Sequence, residues 1–258
     1  MICRYTYLFL LFVSICFYGC NSKLSTSTNS TPAPETIRPR IVLLEKFTAT
    51  WCGPCVTSAD KLHQIFSSNN SLSDNVILIR YGIWDDYYTK SLGSSLSTRL
   101  DERSRYYNVT GIPSLAKDGQ VVSAFPNSKD DLYPTSLGEP LYKIELTQDG
   151  SSITAKITAY ETITSSSHKI RAVLIEPDHK VSTPPGSNGQ TQFEGIVLSM
   201  HSDVSLTALS KDEVFTKTYD NVKMDYTFPN HKPSTFKFIV FIQDDTNKHV
   251  LQAAFITL

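Results

Sequence analysis

Cysteine is scarce in this chain. Its 258 residues hold five, too few to staple a scaffold of this length with disulfides. Eleven glycines and 13 prolines exclude a collagen-like or low-complexity class. A charge excess is missing too: 24 Lys and Arg against 25 Asp and Glu leave a formal net charge of -1, without the clustered basic surplus that nucleic-acid binding requires. The apolar run over residues 5–18 falls short of the about 20 residues of a comfortable membrane span. What is present is core-forming material, 40% apolar with 13 Phe and 13 Tyr, and this excludes wholesale disorder. At about 100–200 residues per domain, the length allows one large domain or two small ones.

The amino terminus reads as an export signal, with Arg4 as its basic start and residues 5–18 as its apolar region. It ends in Gly19-Cys20, a small residue before cysteine, which resembles a bacterial lipobox. That resemblance implies a lipoprotein signal over 1–19, cleavage before Cys20 and lipid on its thiol. An ordinary secretory signal or an uncleaved anchor is the alternative reading. Residues 20–37 form a Ser/Thr/Pro-rich tether: eight of the sixteen residues from 21 to 36 are Ser or Thr, and nothing there can bury a face. The expected location is the bacterial cell envelope, at its periplasmic face or the outer-membrane surface, with the membrane reached through Cys20.

Cys3 and Cys16 depart with the signal and Cys20 carries lipid, so the mature chain keeps Cys52 and Cys55 as free thiols. They sit in Trp51-Cys52-Gly53-Pro54-Cys55. A buried parallel strand is predicted before them, over 41–47. After them, apolar residues at 56, 59, 62, 65 and 66 recur at helical spacing to about 67. Cys52 then stands at a helix N-terminus, where unpaired N–H groups and the positive dipole end favour a thiolate. Cys55 lies one turn further on, more shielded and suited to resolving a mixed disulfide. Pro54 fits the first helical turn, Gly53 leaves room for a substrate backbone, and Trp51 offers a flat apolar lip. A Cys-x-x-Cys pair is also half a zinc site, but the mature chain has no second cysteine pair and His63 alone lies near in sequence. Two structural cysteines are the remaining alternative.

These residues resemble the active site of the thioredoxin superfamily. The family has a second mark, a cis-proline in a Val-x-Gly-Ile-Pro context, and Val109-Thr110-Gly111-Ile112-Pro113 is similar to it, followed by a hairpin-like stretch to Val122. The resemblance implies that Pro113 is cis and that the Ile112 backbone pairs with an extended substrate segment. Between the two marks lie a predicted strand over 75–81, a long aromatic loop over 82–91 with Trp84-Asp85-Asp86-Tyr87-Tyr88 that reads as a packed surface loop or as one facing substrate, and a helix over 92–107. The chain departs from the family in two places: the first strand and helix of a full thioredoxin are missing ahead of residue 38, and Lys46 occupies the strand position where thioredoxins often keep a buried acid. Glu45 is next to it and should face the other way, because strand side chains alternate. Both are candidates for proton handling.

Beyond a linker, residues 140–258 change character. Alternating strands are predicted at 142–146, 153–159, 169–175, 192–200, 213–219, 223–228, 235–243 and 250–258, with Asp149-Gly150 as a hairpin turn. The expected fold class is an α/β thioredoxin-like domain over 38–136 followed by an all-β immunoglobulin-like sandwich over 140–258. His168, His179, His201, His231 and His249 fall near strand ends and turns and read as solvated. The stretch 183–189 reads as a plain loop, or as a partner contact. The layout resembles thioredoxin-like outer-membrane lipoproteins through residues 42–48 and 241–253.

The expected function is that of an envelope-tethered thiol–disulfide oxidoreductase, a reductase by its Gly-Pro pair, acting on protein disulfides through Cys52 and Cys55. It needs a membrane thiol donor of electrons, and no cofactor, metal or nucleic acid. The alternative is a surface adhesion lipoprotein in which the sandwich works and the redox domain is structural.

Overall fold

An unbroken apolar run with one charged pair inside it extends as β1 (Val42–Thr48), buried at every position. The helix that follows, α1 (Gly53–Ser67), turns Cys55, Ser58, Ala59, Leu62 and Ile65 inward at three- and four-residue steps. It crosses over to β2 (Val76–Gly82), parallel to β1 from Val42↔Val76 through Thr48↔Gly82. Residues 39–134 and 138–258 are described in this computed structural model, all within one compact unit, Arg38–Leu258. The expected signal, Cys20 and the tether lie outside the described residues.

The stretch expected as an aromatic loop contains a short helix instead, α2 (Asp86–Leu92). Asp85 caps it by accepting from the Tyr87 backbone N–H at 3.0 Å, and Tyr87 and Tyr88 are buried. The aromatic residues are there to pack, which composition alone does not distinguish from exposure in a loop. The next helix, α3 (Ser94–Tyr106), presents Leu96, Leu100 and Arg103 to the opposite face of the sheet. β3 (Ser114–Lys117) runs antiparallel to β1 and pairs with β4 (Gln120–Val121), and the short α4 (Lys129–Leu132) starts from a Ser128/Asp131 capping box. The order β2-β1-β3-β4 with helices on both faces is a thioredoxin-like layout.

The second half supplies β5 (Tyr142–Asp149), β6 (Ser152–Ala159), β7 (His168–Lys180), β8 (Gln192–Met200), β9 (Val204–Ser205), β10 (Val214–Tyr219), β11 (Lys237–Asp244) and β12 (Val250–Thr257). The strand expected over 223–228 does not form; a single bridge, Phe228↔His231, lies there. Three strands make a small sheet, β10-β6-β5. The others join the first half: β8 pairs parallel with β2 at Arg80↔Ile196, giving one nine-stranded sheet ordered β12-β11-β7-β8-β2-β1-β3-β4, with β9 on β7. Gly195 allows this junction. A Cβ there would stand 2.3 Å from the Leu78 carbonyl oxygen, and its φ of +71° is in the left-handed region.

The expected division between 136 and 140 therefore falls inside a single compact unit. A self-contained immunoglobulin-like sandwich would own both of its layers. Here the small sheet packs Ile153, Ala155 and Ile157 with Ala172, Leu174, Phe238 and Val240, which belong to the shared sheet. On the sheet's other face, Val173, Ile175, Ile239 and Phe241 join Leu43, Phe47, Ile79, Leu96 and Leu100 in one core. The ends of the sheet meet around that core, the Val250 N–H donating to the Asp118 carbonyl at 3.1 Å. A period-two pattern shows that a strand has a buried face, but not which edge it will join. No helix among the described residues is long and apolar enough to cross a membrane.

Candidate functional site

Cys52 is the N-cap of α1 in extended backbone, its side chain making no cap hydrogen bond, with Pro54 in the first turn. Cys52 and Cys55 form a disulfide. Cys52 keeps 3% of its surface and Cys55 none, whereas Trp51 is 51% exposed and Gly53 and Pro54 are exposed. Ile112 packs against Ala49, Cys52 and Cys55, and the bond from Ile112 to the half-buried Pro113 is cis. The two sequence marks, 57 residues apart at Cys55 and Ile112, thus meet at one place. Once the disulfide is reduced, the uncapped N–H groups at the start of α1 are available to a Cys52 thiolate.

Three groups from the stretches 82–91 and 183–189, to which the sequence assigned no part at the cysteines, brace this turn. The Asp85 carboxylate accepts from the Thr50 backbone N–H, and from the Thr50 hydroxyl at 2.9 Å. Asn188 donates its amide to the carbonyls of Ala49 and Cys52, each at 3.3 Å, and its backbone N–H to the Thr50 carbonyl at 3.1 Å. The stretch 183–189, expected as a plain loop, therefore lies on the cysteine turn. Gly186 is what lets it approach, since a Cβ there would stand 2.4 Å from the Thr50 carbonyl oxygen. Asn188-Gly189 reads as a turn signal in sequence, and nothing in it names the backbone it will touch. Third, the Trp84 carbonyl accepts from the Trp51 indole at 2.8 Å. Trp84 is 50% exposed, so the chain's two tryptophans form an open aromatic surface beside Cys52.

Beneath the disulfide lies a buried lysine. Lys46 donates from Nζ to the Cys55 carbonyl at 3.2 Å, with Nζ 5.8 Å from the Phe125 ring centroid. Its cross-strand neighbour is Arg80, also buried, with its guanidinium carbon 5.2 Å from the Phe193 ring centroid. Burial first, and then the Arg80 charge, hold Lys46 well below the ordinary lysine range, against a smaller opposing pull from Glu194 and Asp60. Burial likewise lowers Arg80.

Glu45 is on the opposite face of β1, as strand alternation dictates. Its carboxylate accepts two 2.8 Å bonds from Arg103, one of 2.8 Å from Tyr81 and one of 2.5 Å from Tyr107. Burial, followed by the charge of Glu45, raises Tyr81 and Tyr107 well above the ordinary phenol range. Of the two residues expected to handle protons, only Lys46 adjoins the cysteines; Glu45 is spent on Arg103 and lies behind the strand. Of the histidines expected to be solvated, only His249 is exposed, while His201 and His231 are half-buried. His168 and His179 are buried, and His63 pairs with Glu194 at 2.5 Å on the surface.

No family model matches the sequence, and no curated protein is similar to it. Among solved structures, HBP35 of Porphyromonas gingivalis superposes with a TM-score of 0.68 at 14% identity, over 87% of this chain and 77% of that one. Protein AGR_C_4864 from Agrobacterium tumefaciens gives 0.51 at 13% identity, over 85% and 96%. Native tryparedoxin I from Crithidia fasciculata overlaps 37% of this chain and 77% of its own, at 22% identity and a TM-score of 0.28, too low to bear on the fold. The likeness to the first two is one of fold alone, and the first fits a thioredoxin-like layout extended by β-strands.

Proposed function

We propose that this protein is a thiol–disulfide oxidoreductase of the bacterial envelope, held there by lipid on Cys20 and reducing protein disulfides. The observation that carries the reading is the Cys52–Cys55 disulfide at the start of α1, packed against Ile112 ahead of a cis proline and flanked by two exposed tryptophans. In the reduced protein, the Cys52 thiolate attacks one sulfur of a substrate disulfide; the other sulfur leaves as a thiolate and takes a proton from water. Cys55 then loses its proton and attacks Cys52 Sγ. This frees the second substrate thiol and returns the protein disulfide. Two electrons from a membrane thiol donor restore the dithiol. Lys46, hydrogen-bonded to the Cys55 carbonyl and held below the ordinary lysine range by burial, is the side chain placed to take up that proton.

The reading of a surface adhesion module with a structural redox half finds less support, because Asn188 and Gly186 of the second half are built onto the cysteine turn itself. Insulin reduction by dithiothreitol tests the proposal: the protein should accelerate it, and Cys52→Ser should abolish the acceleration. Cys55→Ser should accumulate mixed disulfides with substrate. Absence of both turnover and trapped partner would leave the adhesion reading standing. The reduction potential of the Cys52–Cys55 couple decides between reductase and oxidant.

A further inference from the structure

Away from the cysteines, the end of β7 and the turn after Phe228 bring a carboxylate and two imidazoles together. Glu176 Oε2 is 2.6 Å from His179 Nδ1, and Glu176 Oε1 is 2.6 Å from His231 Nε2. One donor atom from each of the three residues lies within 4.8 Å of the others. Glu176 is 3% exposed and His179 0%, while the His231 side chain reaches the surface at 18%.

We propose that Glu176, His179 and His231 bind one divalent transition-metal ion of the zinc class. Four observations support it. First, a buried carboxylate needs compensating charge, and the groups bonded to it are imidazoles rather than a lysine or arginine. Second, two nitrogens and one carboxylate oxygen suit zinc and its neighbours, and a fourth position is left for water or an external ligand. Third, the remaining nitrogen of His179, Nε2, is 2.7 Å from the Tyr87 hydroxyl. An outer partner of this kind fixes the ring and its tautomer so that Nδ1 faces the ion. Fourth, Phe193 and Phe228 pack their rings on His179 at centroid distances of 5.9 and 4.6 Å, giving the dry wall that holds a ligand in place.

Donor atoms around zinc stand about 3.3 Å apart for bonds of about 2.0–2.2 Å. The two 2.6 Å contacts must therefore open by several tenths of an ångström, and the side chain of His231, which alone of the three reaches the surface, has room to give. A cavity of 280 Å³ lies on the far side of the Tyr87 partner of His179, lined by Tyr87, Val181, Pro229 and Asn230. The bound ion would tie β7 to the turn at 228–231, at the root of the loop whose Asn188 braces Cys52. The site itself does not depend on the redox reading.

The test uses the full-length protein in detergent, with Cys52 and Cys55 kept as their disulfide and bound metal removed by a chelator. Titration with Co²⁺ should give ligand-field absorption saturating at one equivalent, without thiolate charge-transfer bands, and Zn²⁺ should displace it. Glu176→Gln and His231→Gln should each weaken binding by at least about tenfold, and Tyr87→Phe by about tenfold. His63→Gln, at a surface pair, should leave it unchanged. His231 is partly exposed, so its variant, checked for native circular dichroism, carries the test even where Glu176→Gln fails to fold. Binding of no equivalent, or of one that survives His231→Gln undiminished, overturns the proposal.

Discussion

Lys46 and Glu45 are neighbours in sequence and opposites in role. The amine of Lys46 is buried under Cys55 with its pKa depressed, so between that folded value and the ordinary value of 10.5 the unfolded chain binds a proton that the native protein lacks. Stability should therefore rise with pH across that window. Lys46→Met should stabilise the protein most below the window, and the gain should shrink as pH approaches 10.5, measured as urea midpoints at pH 7 and pH 10. Ser58 still donates to the Cys55 carbonyl at 2.9 Å in that variant, so the helix start is kept. If Lys46 is the proton acceptor, the same variant should lengthen the life of the mixed disulfide at pH 7. Glu45→Gln acts differently: it leaves Arg103 buried and without its countercharge, a loss of about 3–5 kcal/mol. Denaturant unfolding should register that loss, while the reduction potential of the cysteine pair stays as in the parent. The sequence predicted which residue faces which side, because alternation along a strand is local. It did not predict that Arg103, Tyr81 and Tyr107 would claim Glu45, since those partners come from α3, β2 and the residue after α3.

At the level of elements, the loop at 183–189 shows what local pattern leaves open. Its composition predicts a turn, and a turn forms, but its value lies in the backbone it touches. Asn188→Ala removes the bonds to Ala49 and Cys52, worth about 1 kcal/mol each. The expected outcome is a several-fold fall in kcat/KM for insulin reduction together with a fall in Tm of several degrees. Gly186→Ala should do more, since its Cβ collides with Thr50 and lifts the loop from the cysteine turn. If both variants keep parental turnover, the loop has no part in the site. α2 teaches the converse: Asp85-Asp86 followed by two tyrosines carried a legible helix cap, and the weight given to aromatic composition hid it.

Over the whole molecule, the two halves share a sheet, a core and a polar network. Gln243, in one of the segments that resembled the lipoprotein family, accepts from Arg103 and from Arg171, both at 2.9 Å, and donates to the Tyr107 hydroxyl at 2.8 Å. Through Arg103 this joins β11 to Glu45 of the other segment. Unfolding should accordingly be one cooperative transition, seen alike by far-UV circular dichroism and by the fluorescence of Trp51 and Trp84. A fragment ending at residue 139 should give no cooperative transition, because it exposes the β2 edge and half of a core. Gly195→Ala should lower stability by forcing β8 from β2, whereas a modular protein would tolerate both changes. Most of the strands and the cysteine-bearing helix start were legible in the sequence because each rests on spacing within a few residues, where backbone geometry leaves little choice; the cis-proline was implied by the resemblance of residues 109–113 to the thioredoxin superfamily. Which strands became neighbours, and which loop came to lie on Cys52, was decided by tertiary packing. Edge pairing and close backbone approach depend on residues more than a hundred positions apart, and no local period records them.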